Sequence, residues 1–407
     1  MSKILTILLS LILSLCLGGC TKADQPIRLT FWQGVNPPAN REVLNRLVDQ
    51  FNRSQNEVFV ESIYAGQPDQ QIPKILAAVV GNSPPDVLWY SPMITGRLVE
   101  LGAIRPLDDW LKNSPILSEL DPALLSTMQY AGKTWSVPLG VNNVALYYRP
   151  SLFAKAGITE LPETWAELKQ TALKLSQTEG QKGIFLPFGK GEFTVFCWLP
   201  FLWSAGGDLL EGDRPTLNTA PAIAALQFWQ DLVKSGAAML SQPERGYEED
   251  NFFAGRVAMQ ISGSWALNFI ASQTKDFGIM PLPIAKSPAT AIGGENLFIF
   301  RTTPEREWAA WKFVEFVASH TFQTEWAVQT GYLPTNLRSQ QSSRYRQYIQ
   351  QNPQIAVFLH QMSAGRSRPL IPAYPRLSNS LGRAIEAVLS LRQTPATALE
   401  IAQESLE

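Results

Sequence analysis

Three segments near the start of the chain read IRLTFW at residues 27–32, VFVESIY at residues 58–64 and DVLWY at residues 86–90. All three are rich in β-branched and aromatic residues, which favour β-strands. Between them, apolar residues recur with helical periodicity along residues 41–51 and 72–80. Strands and helices that alternate at this short spacing predict a parallel, doubly wound α/β lobe.

The ends of these strands are the first candidate binding positions, because doubly wound lobes bind ligands beyond the carboxyl ends of their strands. Trp32 and Gln33 follow the first strand, Tyr64 ends the second and Tyr90 ends the third. The rings of Trp32 and Tyr64 are candidate contacts at the rim of a site. Packing within the core is the alternative interpretation for both rings.

Length and charge limit the classes of function. A chain of 407 residues exceeds what one undivided core usually supports, so two lobes are expected. Its 34 basic and 35 acidic residues give a net charge of −1, which provides no broad positive field for nucleic acids. Two histidines and three cysteines are too few soft ligands for a zinc or iron–sulfur site. We therefore expect no nucleic-acid partner, no metal and no cofactor.

The N-terminus predicts export and lipid attachment. A basic residue precedes an apolar run at residues 4–17, which is too short for a permanent membrane span and is typical of a signal peptide. The run ends in Leu17-Gly18-Gly19-Cys20, which resembles the bacterial lipobox. Residues 1–19 are then the signal peptide, Cys20 the lipidation site and residues 20–26 a tether. The mature protein is expected on the periplasmic or extracytoplasmic face of a bacterial membrane; an ordinary signal peptide with a chance cysteine is the alternative.

Further strand and helix patterns follow along the rest of the chain. Strands are predicted at residues 135–138, 144–148, 258–261, 277–281 and 296–300, and helices at residues 165–176, 220–235 and 305–319. Asn142 and Asn143 lie between two of the strands, and Ser264-Trp265 follows the end of another. A polar pair between apolar strands indicates either ligand contacts or a capped turn.

Several short motifs occur in a fixed order along nearly the whole chain. After the lipobox they are Phe31-Trp32, Ser83-Pro84-Pro85-Asp86-Val87, LVELGAIRPLDD at residues 98–109, Val137-Pro138, Leu146-Tyr147-Tyr148, Ala258-Met259, Ser264-Trp265, Gly293-Gly294 and Gly331-Tyr332-Leu333-Pro334. Each motif alone is unspecific. In this order, the set resembles the carbohydrate-binding lipoproteins of ABC importers, which belong to the maltose-binding and glycerol-3-phosphate-binding superfamily.

The resemblance implies an α/β periplasmic-binding-protein clamshell, in which two lobes joined by three crossings close on a ligand by hinge motion. The implied N-terminal lobe comprises residues 27–141 and 293–329, and the implied C-terminal lobe comprises residues 142–292 and 330–407. The crossings are expected near residues 140–143, 292–295 and 330–332, where glycines permit backbone rotation. Glycines also end strands and cap helices, which is the alternative interpretation.

The resemblance also implies roles for individual residues. Trp265 matches the family's stacking tryptophan, and Asn142 and Asn143 match its hinge-side hydroxyl contacts. Arg368 lies in a late segment that is similar to one that returns to the cleft. The full set of predicted ligand contacts is Trp32, Gln33, Tyr64, Tyr90, Asn142, Asn143, Glu192, Trp198, Ser264, Trp265, Gly294, Glu295, Tyr332, Arg368 and Tyr374.

Three members of this set are selected mainly because of the residues next to them in the sequence. Glu295 follows Gly293-Gly294, where glycines permit close approach of a ligand, and its carboxylate can accept hydrogen bonds from hydroxyl groups. Glu192 follows a glycine-rich stretch that is predicted as a loop, so it is either a ligand contact or a solvated loop charge. Trp198 lies in a nearly continuous apolar run, for which burial is the alternative.

The expected ligand is a neutral di- or oligosaccharide or a glycosyl-polyol. Residues 331–334 look like those of the glycerol-3-phosphate binders, in which an arginine near the C-terminus takes the phosphate. However, Pro369-Leu370-Ile371-Pro372 stands where an Arg-Gly-Leu-Arg-type run is expected, which leaves Arg368 as the candidate there. A phosphate favours bidentate arginine or several backbone donors. Glycerol-3-phosphate or a glycerophosphodiester is the alternative ligand.

An enzyme, in particular a lipoprotein glycosidase, is the alternative class of protein. The carboxylates of Glu248-Glu249-Asp250 are adjacent and cannot flank a glycosidic bond. His320 and His360 have no Gly-x-Ser-x-Gly element nearby, and the absence of a P-loop means that a separate chain must supply ATPase activity. We therefore expect a non-enzymatic monomer with a small-molecule carbohydrate ligand, an ABC permease partner and a lipid anchor in the membrane.

Overall fold

In the computed structural model, residues 25–212, 214–243 and 248–407 are described. The predicted signal peptide, the predicted lipidation site at Cys20 and most of the predicted tether lie outside these ranges. The strands are β1 (Ile27–Gln33), β2 (Val58–Tyr64), β3 (Val87–Tyr90), β4 (Gln129–Tyr130), β5 (Lys133–Thr134), β6 (Ser136–Tyr148), β7 (Lys182–Leu186), β8 (Leu210–Glu211), β9 (Arg214–Pro215), β10 (Ala238–Leu240), β11 (Val257–Gly263), β12 (Gly278–Met280), β13 (Thr290–Ile299) and β14 (Gly365–Arg366). The helices are α1 (Pro38–Ser54), α2 (Pro68–Val80), α3 (Thr95–Glu100), α4 (Asp108–Leu111), α5 (Ile116–Glu119), α6 (Leu125–Met128), α7 (Pro150–Lys155), α8 (Trp165–Leu175), α9 (Glu192–Ser204), α10 (Ala220–Lys234), α11 (Asp250–Phe253), α12 (Leu267–Gln273), α13 (Pro304–Ala318), α14 (His320–Thr330), α15 (Leu337–Gln340), α16 (Ser343–Gln351), α17 (Ile355–Gln361), α18 (Tyr374–Leu389) and α19 (Pro395–Glu404).

The first five elements confirm the predicted α/β alternation. β1 pairs in parallel with β2 on one side and with β3 on the other, and α1 and α2 connect the three strands. α1 begins at Pro38, three residues before the predicted start. A proline fits the first turn of a helix because the amide hydrogen that it lacks has no partner there. Apolar periodicity did not predict this turn, since Pro38 and Ala39 are both exposed.

One sheet runs through the molecule in the order β10-β7-β11-β6-β13-β3-β1-β2, with β12 beside β6 and β14 beside β13. The 13-residue β6 pairs with β13 along residues 136–143 and with β11 along residues 144–148. The two strands predicted on either side of Asn142 and Asn143 are therefore one continuous strand, and these asparagines do not cap a turn. Because neighbouring side chains of a strand point to opposite faces, the two asparagines have different surroundings.

β6 and β13 connect the two halves of this sheet, β1–β3 on one side and β7, β10, β11 and β12 on the other. The chain passes between the halves a third time near Gly331, which ends α14 with a φ of 85°. Leu333 then forms a β-bridge with Val141 of β6. The fold is the predicted two-lobed α/β clamshell with three crossings.

The residues after the third crossing first lie against the N-terminal lobe. The Asp121 amide donates to the Thr335 carbonyl at 2.9 Å, and the Asn336 side-chain amide donates to Glu119 Oε2 at 2.9 Å. Further along the chain, α18 and α19 pack against each other and against α10. The lobe boundaries stay a prediction. Residues 335–336, which this prediction assigns to the C-terminal lobe, contact the N-terminal lobe.

The helix α9 is one of the elements that the sequence patterns did not predict. Most of its side chains are buried, including Trp198 and Trp203. A helix that is apolar on all sides has no hydrophobic stripe, so apolar periodicity does not reveal it. The expectation that Glu192 lies in a loop is wrong, because Glu192 is the first residue of α9 and is buried.

Two kinds of feature are not found in the part of the chain that is described. None of its helices combines the length and apolar character needed to cross a membrane. None of its clusters of His, Cys, Asp and Glu side chains has three or more members placed to hold a metal ion. Cys197 in α9 is buried, and burial raises the pKa of its thiol above the usual range.

Glu249 makes the stability of the C-terminal lobe pH-dependent. Its side chain is buried just before α11, and the charged or titratable groups near it are Glu248, Asp250 and Tyr147. Burial raises the pKa of its carboxyl group from 4.5 to about 8, with smaller contributions from the two acidic neighbours. The folded state therefore holds this proton more tightly than the unfolded state. The resulting stabilisation is complete below pH 4.5 and is lost as the pH rises through about 8.

We expect this group to lower the free energy of unfolding by about 1 to 2 kcal/mol between about pH 6 and pH 8. Glu249→Gln keeps the shape of the side chain and removes the titration, so its stability profile should be flatter over this interval. Urea unfolding at several pH values measures the difference. The exposed residue Glu211 supplies a control, Glu211→Gln. Equal slopes for Glu249→Gln and the parent protein would contradict the prediction.

Candidate functional site

A small cavity lies between the two halves of the sheet, where β6 pairs with β13. Its lining residues are Ser91, Pro92, Met93, Leu124, Thr127, Pro138, Gly140, Val141, Ile292, Gly293, Gly294, Asn296, Ser367 and Arg368. Its volume is about 20 Å³, which is room for about one water molecule. A larger molecule can therefore enter only if the two lobes move apart.

Arg368 lines this cavity and forms a buried ion pair with Glu192. Its Nη1 atom donates to Glu192 Oε1 at 2.6 Å, and its Nη2 atom donates to Ser91 Oγ at 2.9 Å. The side chains of Arg368 and Glu192 are only 8% and 7% exposed. Ser91 directly follows β3, whereas Glu192 begins α9. Through its two nitrogen atoms, Arg368 connects the two sides of the cleft.

Glu192 is held at the start of α9 by residues of α18. Its carboxylate also accepts hydrogen bonds from Tyr374 Oη at 3.1 Å and from Ser378 Oγ. One turn further along α18, Gly382 permits close approach of the Lys190 backbone, since a Cβ atom there would lie 2.2 Å from the Lys190 carbonyl oxygen. Tyr374 is itself fully buried, so it supports the carboxylate and presents no surface to the cavity.

Aromatic rings continue the site from Arg368 towards Trp265. The guanidinium carbon of Arg368 lies 4.6 Å from the centre of the Phe196 ring. The centres of the Phe193 and Phe196 rings each lie 6.4 Å from that of Trp265. Sequence reasoning did not select these phenylalanines. Their spacing of three residues, which places both on one face of a helix, is the signal that could have found them.

Trp265 lies in a 3₁₀ turn directly after β11 and is half-buried. Its ring covers Gly263, where a Cβ atom would lie 1.8 Å from the ring atom Cζ3. Its carbonyl oxygen accepts a hydrogen bond from the Asn40 side chain of α1 at 3.1 Å. The residue is therefore held by its ring, which packs on Gly263, and by its backbone carbonyl, which bonds to α1.

Three buried side-chain atoms near the crossing strands have no hydrogen-bond partner among the described residues: Asn142 Oδ1, Ser264 Oγ and Glu295 Oε2. Asn142 Oδ1 approaches Gly293 of the cavity wall so closely that a Cβ atom there would lie 2.3 Å from it. All three atoms can accept hydrogen bonds, and the serine hydroxyl can also donate one. They are well suited to a molecule rich in hydroxyl groups.

The carboxyl group of Glu295 lies near Tyr332 and Arg368, at a register shift of β13. The hydroxyl group of Tyr332, after the third crossing, lies near this carboxyl group and lowers its pKa. Burial raises the pKa of Glu295 to about 8, and the charge of Arg368 and the hydroxyl group of Tyr332 offset only part of that effect. At neutral pH this group is mainly protonated, so it can both donate and accept hydrogen bonds.

The side chain of Asn143 lies on the opposite face of β6 from that of Asn142. Its side-chain nitrogen donates to the Phe358 carbonyl at 2.8 Å, and its Oδ1 atom accepts from Gln361 at 3.2 Å. The side chain is fully buried. Both ends of its amide are thus used within the protein.

The other predicted contacts divide into buried side chains and side chains that are at least partly exposed. The buried ones are Gln33, Tyr90, Trp198 and Tyr374. Gln33 Oε1 accepts a hydrogen bond from the Val35 amide at 2.9 Å, which fixes the turn after β1. Trp32 is half-buried. Tyr64 is exposed, and the Arg41 guanidinium lies 3.8 Å from the centre of its ring.

The chain is similar to known proteins along most of its length. The family described as bacterial extracellular solute-binding protein matches residues 46–357. The sn-glycerol-3-phosphate-binding periplasmic protein UgpB of Salmonella typhimurium is 25% identical, over 97% of this chain and 94% of the relative. The cyclic alpha-maltosyl-1,6-maltose binding protein from Arthrobacter globiformis is 27% identical with a TM-score of 0.77, over 94% of this chain and 98% of that structure. An ABC transporter solute-binding protein from Thermotoga lettingae, bound with alpha-D-tagatose, is 25% identical with a TM-score of 0.84, over 93% and 98% of the two chains.

Proposed function

Because the chain belongs to the bacterial extracellular solute-binding protein family, we propose that it captures a carbohydrate between its lobes and delivers it to an ABC permease. The proposed ligand is a neutral di- or oligosaccharide or a glycosyl-polyol. The protein itself carries out no reaction, and a separate ATPase chain drives transport. A solved neighbour described as binding a cyclic maltosyl-maltose supports an oligosaccharide, and one bound with the monosaccharide tagatose supports a neutral sugar more generally.

The observation that carries the proposal is that the unpartnered polar atoms and the aromatic ring of Trp265 both lie at the crossing strands. A saccharide has hydroxyl groups at its rim and apolar C–H faces. Its hydroxyl groups satisfy Asn142 Oδ1, Ser264 Oγ and Glu295 Oε2, and one sugar face lies against Trp265. A dianionic phosphate group has only acceptor oxygens, so it cannot donate a hydrogen bond to Asn142 Oδ1.

Lobe movement is part of the proposal, because the cavity of about 20 Å³ is far too small for a sugar. Gly140, Gly294 and Gly331 lie at the three crossings and permit the backbone rotation that opening requires. The proposed direct contacts are Asn142, Ser264, Trp265, Gly294, Glu295 and Arg368. Tyr332 positions Glu295, Glu192 and Tyr374 position Arg368, and Trp32 and Tyr64 lie at the outer rim.

Glycerol-3-phosphate or a glycerophosphodiester is the second candidate ligand. The position of Arg368 in the cavity wall favours it, as does the similarity to UgpB along most of the chain. The ion pair between Arg368 and Glu192 weighs against it, since the cation is already matched by a buried anion.

Thermal unfolding with a panel of compounds tests the proposed function. The panel contains maltose-type and other oligosaccharides, glycosyl-polyols, glycerol, glycerol-3-phosphate and a glycerophosphodiester. A ligand that binds only the folded state raises the melting temperature by mass action. We expect the largest shift from a neutral saccharide or glycosyl-polyol. A shift from the phosphorylated compounds alone would favour the second candidate, and no shift from any compound would contradict carbohydrate capture.

We also propose that the mature protein is a monomer anchored to the membrane through acylated Cys20. The support is the lipobox-like Leu17-Gly18-Gly19-Cys20 after an apolar run. Two or more acyl chains give the stable anchoring that one chain does not.

Cys20→Ala should abolish incorporation of a labelled fatty acid when the protein is expressed in a bacterium. The thiol that carries the diacylglycerol is then missing. Fatty-acid labelling followed by gel fluorography measures the effect, and Cys197→Ala is the matched control because that buried thiol lies inside α9. Persistent labelling of Cys20→Ala would refute lipid attachment at this residue.

A further inference from the structure

The ion pair between Arg368 and Glu192 contributes to the charge of the cleft. Of the described residues that line the cavity, Arg368 is the one cationic side chain. Its guanidinium lies 2.6 Å from Glu192 Oε1, and both side chains are more than nine-tenths buried. Glu295 adds a second carboxyl group near the same arginine. The positive charge of Arg368 is thus paired with the carboxylate of Glu192.

Glu192 cannot readily move away from Arg368 when a ligand enters. Its carboxylate accepts hydrogen bonds from Tyr374 and Ser378 of α18, in addition to that from Arg368. It also occupies the first position of α9, where a negative charge interacts favourably with the helix dipole. These contacts hold the carboxylate beside Arg368.

A phosphate ester at Arg368 would meet an arginine whose charge is already cancelled. It brings a charge of about −1.5 to −2 at neutral pH, and the carboxylate of Glu192 would lie next to it as a like charge. Like charges at short distance in a poorly solvated site repel strongly. A neutral hydroxyl group encounters no such repulsion and can still accept a hydrogen bond from the guanidinium.

We propose that Glu192 is the residue that determines ligand charge: by neutralising Arg368 it makes the cleft select uncharged polyhydroxylated ligands and reject phosphate esters. This inference rests on the proposed function, because it concerns the same cleft. Glu192 acts through Arg368 and is a specificity-determining residue that positions and neutralises it. Removal of its charge takes away the carboxylate 2.6 Å from Arg368, so that the guanidinium can pair with a phosphate group instead.

The test is a calorimetric titration of the purified protein and of Glu192→Gln with sn-glycerol-3-phosphate and with glycerol. Gln keeps the size of the side chain and removes the charge. We expect Glu192→Gln to bind glycerol-3-phosphate about 10- to 100-fold more tightly than the parent protein, as one unpaired charge at this distance implies. The gain should decrease at high salt, and the affinity for glycerol should not rise with it.

Glu100→Gln is the matched control, since it removes one negative charge from an exposed site and should leave glycerol-3-phosphate binding unchanged. An equal gain in the control would assign the effect to net charge and overturn the proposal. A folded Glu192→Gln variant, verified by circular dichroism, with no gain for glycerol-3-phosphate would also overturn it.

Ser91→Lys provides a second variant if Glu192→Gln does not fold. Ser91 lies on the opposite side of Arg368 and is half-exposed, so a lysine there adds a cation without disturbing α9. Tighter, salt-sensitive binding of glycerol-3-phosphate supports the proposal, and unchanged binding overturns it. The proposed function is tested separately. It fails if no neutral compound of the thermal panel raises the melting temperature of the parent protein.

Discussion

Replacement of Trp265 by alanine should weaken saccharide binding about 10- to 100-fold while the protein stays folded. Stacking of a flat ligand on an aromatic side chain contributes about 1 to 3 kcal/mol in nucleic-acid complexes, and a sugar face that lies on an indole ring is expected to be comparable. Each 1.4 kcal/mol changes the dissociation constant about tenfold. Trp265 is half-buried beside Phe193 and Phe196, so its removal leaves the inner part of the lobe in place.

Tryptophan fluorescence and calorimetric titration with the saccharide selected by the thermal panel measure the loss. Trp265→Phe should retain part of the affinity because it keeps an aromatic face. The control is Trp308→Ala, which removes an indole that is 46% exposed on α13 and outside the cavity wall. Unchanged affinity in Trp265→Ala would assign this ring to packing alone.

Gly294→Ala should lower the free energy of unfolding by about 2 to 5 kcal/mol. Gly294 has a φ of 115° in β13, and a Cβ atom would lie 2.2 Å from the Gly140 carbonyl oxygen. The unfavourable backbone conformation costs about 1 to 2 kcal/mol, and an atom forced into a packed region typically costs about 1 to 3 kcal/mol more. Because the clash separates β13 from β6, the variant should also lose ligand affinity.

Gly102→Ala is the matched control, because Gly102 has a φ of 63° and open space around its Cβ position. It should incur only the backbone cost of about 1 to 2 kcal/mol. Chemical unfolding of both variants compares the two effects directly. Equal stability of Gly294→Ala and Gly102→Ala would contradict this prediction. It would mean that β6 and β13 can move apart at Gly294 without a loss of stability.

The sequence was sufficient to predict the α/β alternation of β1 to β3, because these strands and their helices have clear local periodicity. It did not predict α9, since a helix buried on all sides has no polar face to define a period. That omission placed Glu192 in a loop, whereas the structure has it buried in an ion pair with Arg368. The partners Tyr374 and Ser378 lie more than 180 residues further along the chain, a separation that local patterns cannot bridge.

The ordered motifs indicated which segments to consider for the site, but the sequence did not indicate the direction of each side chain. Asn142 and Asn143 were selected together, yet their alternation along one strand leaves one amide oxygen unpartnered and uses both ends of the other. The sequence predicted two separate strands around this pair. It therefore did not indicate which face of the sheet each asparagine occupies, because that depends on β6 being one strand that pairs with β13. Phe193 and Phe196 were missed for the same reason as α9.

Calorimetric titration at low and high ionic strength tests the central claim, a neutral ligand in a charge-balanced cleft, most directly. The purified protein is titrated with the neutral saccharide that gives the largest thermal shift and, separately, with glycerol-3-phosphate. We predict tight saccharide binding whose dissociation constant is nearly independent of salt, since no net charge pairs with the ligand. Tight binding of glycerol-3-phosphate that weakens as salt increases, with no binding of the saccharide, would contradict the account.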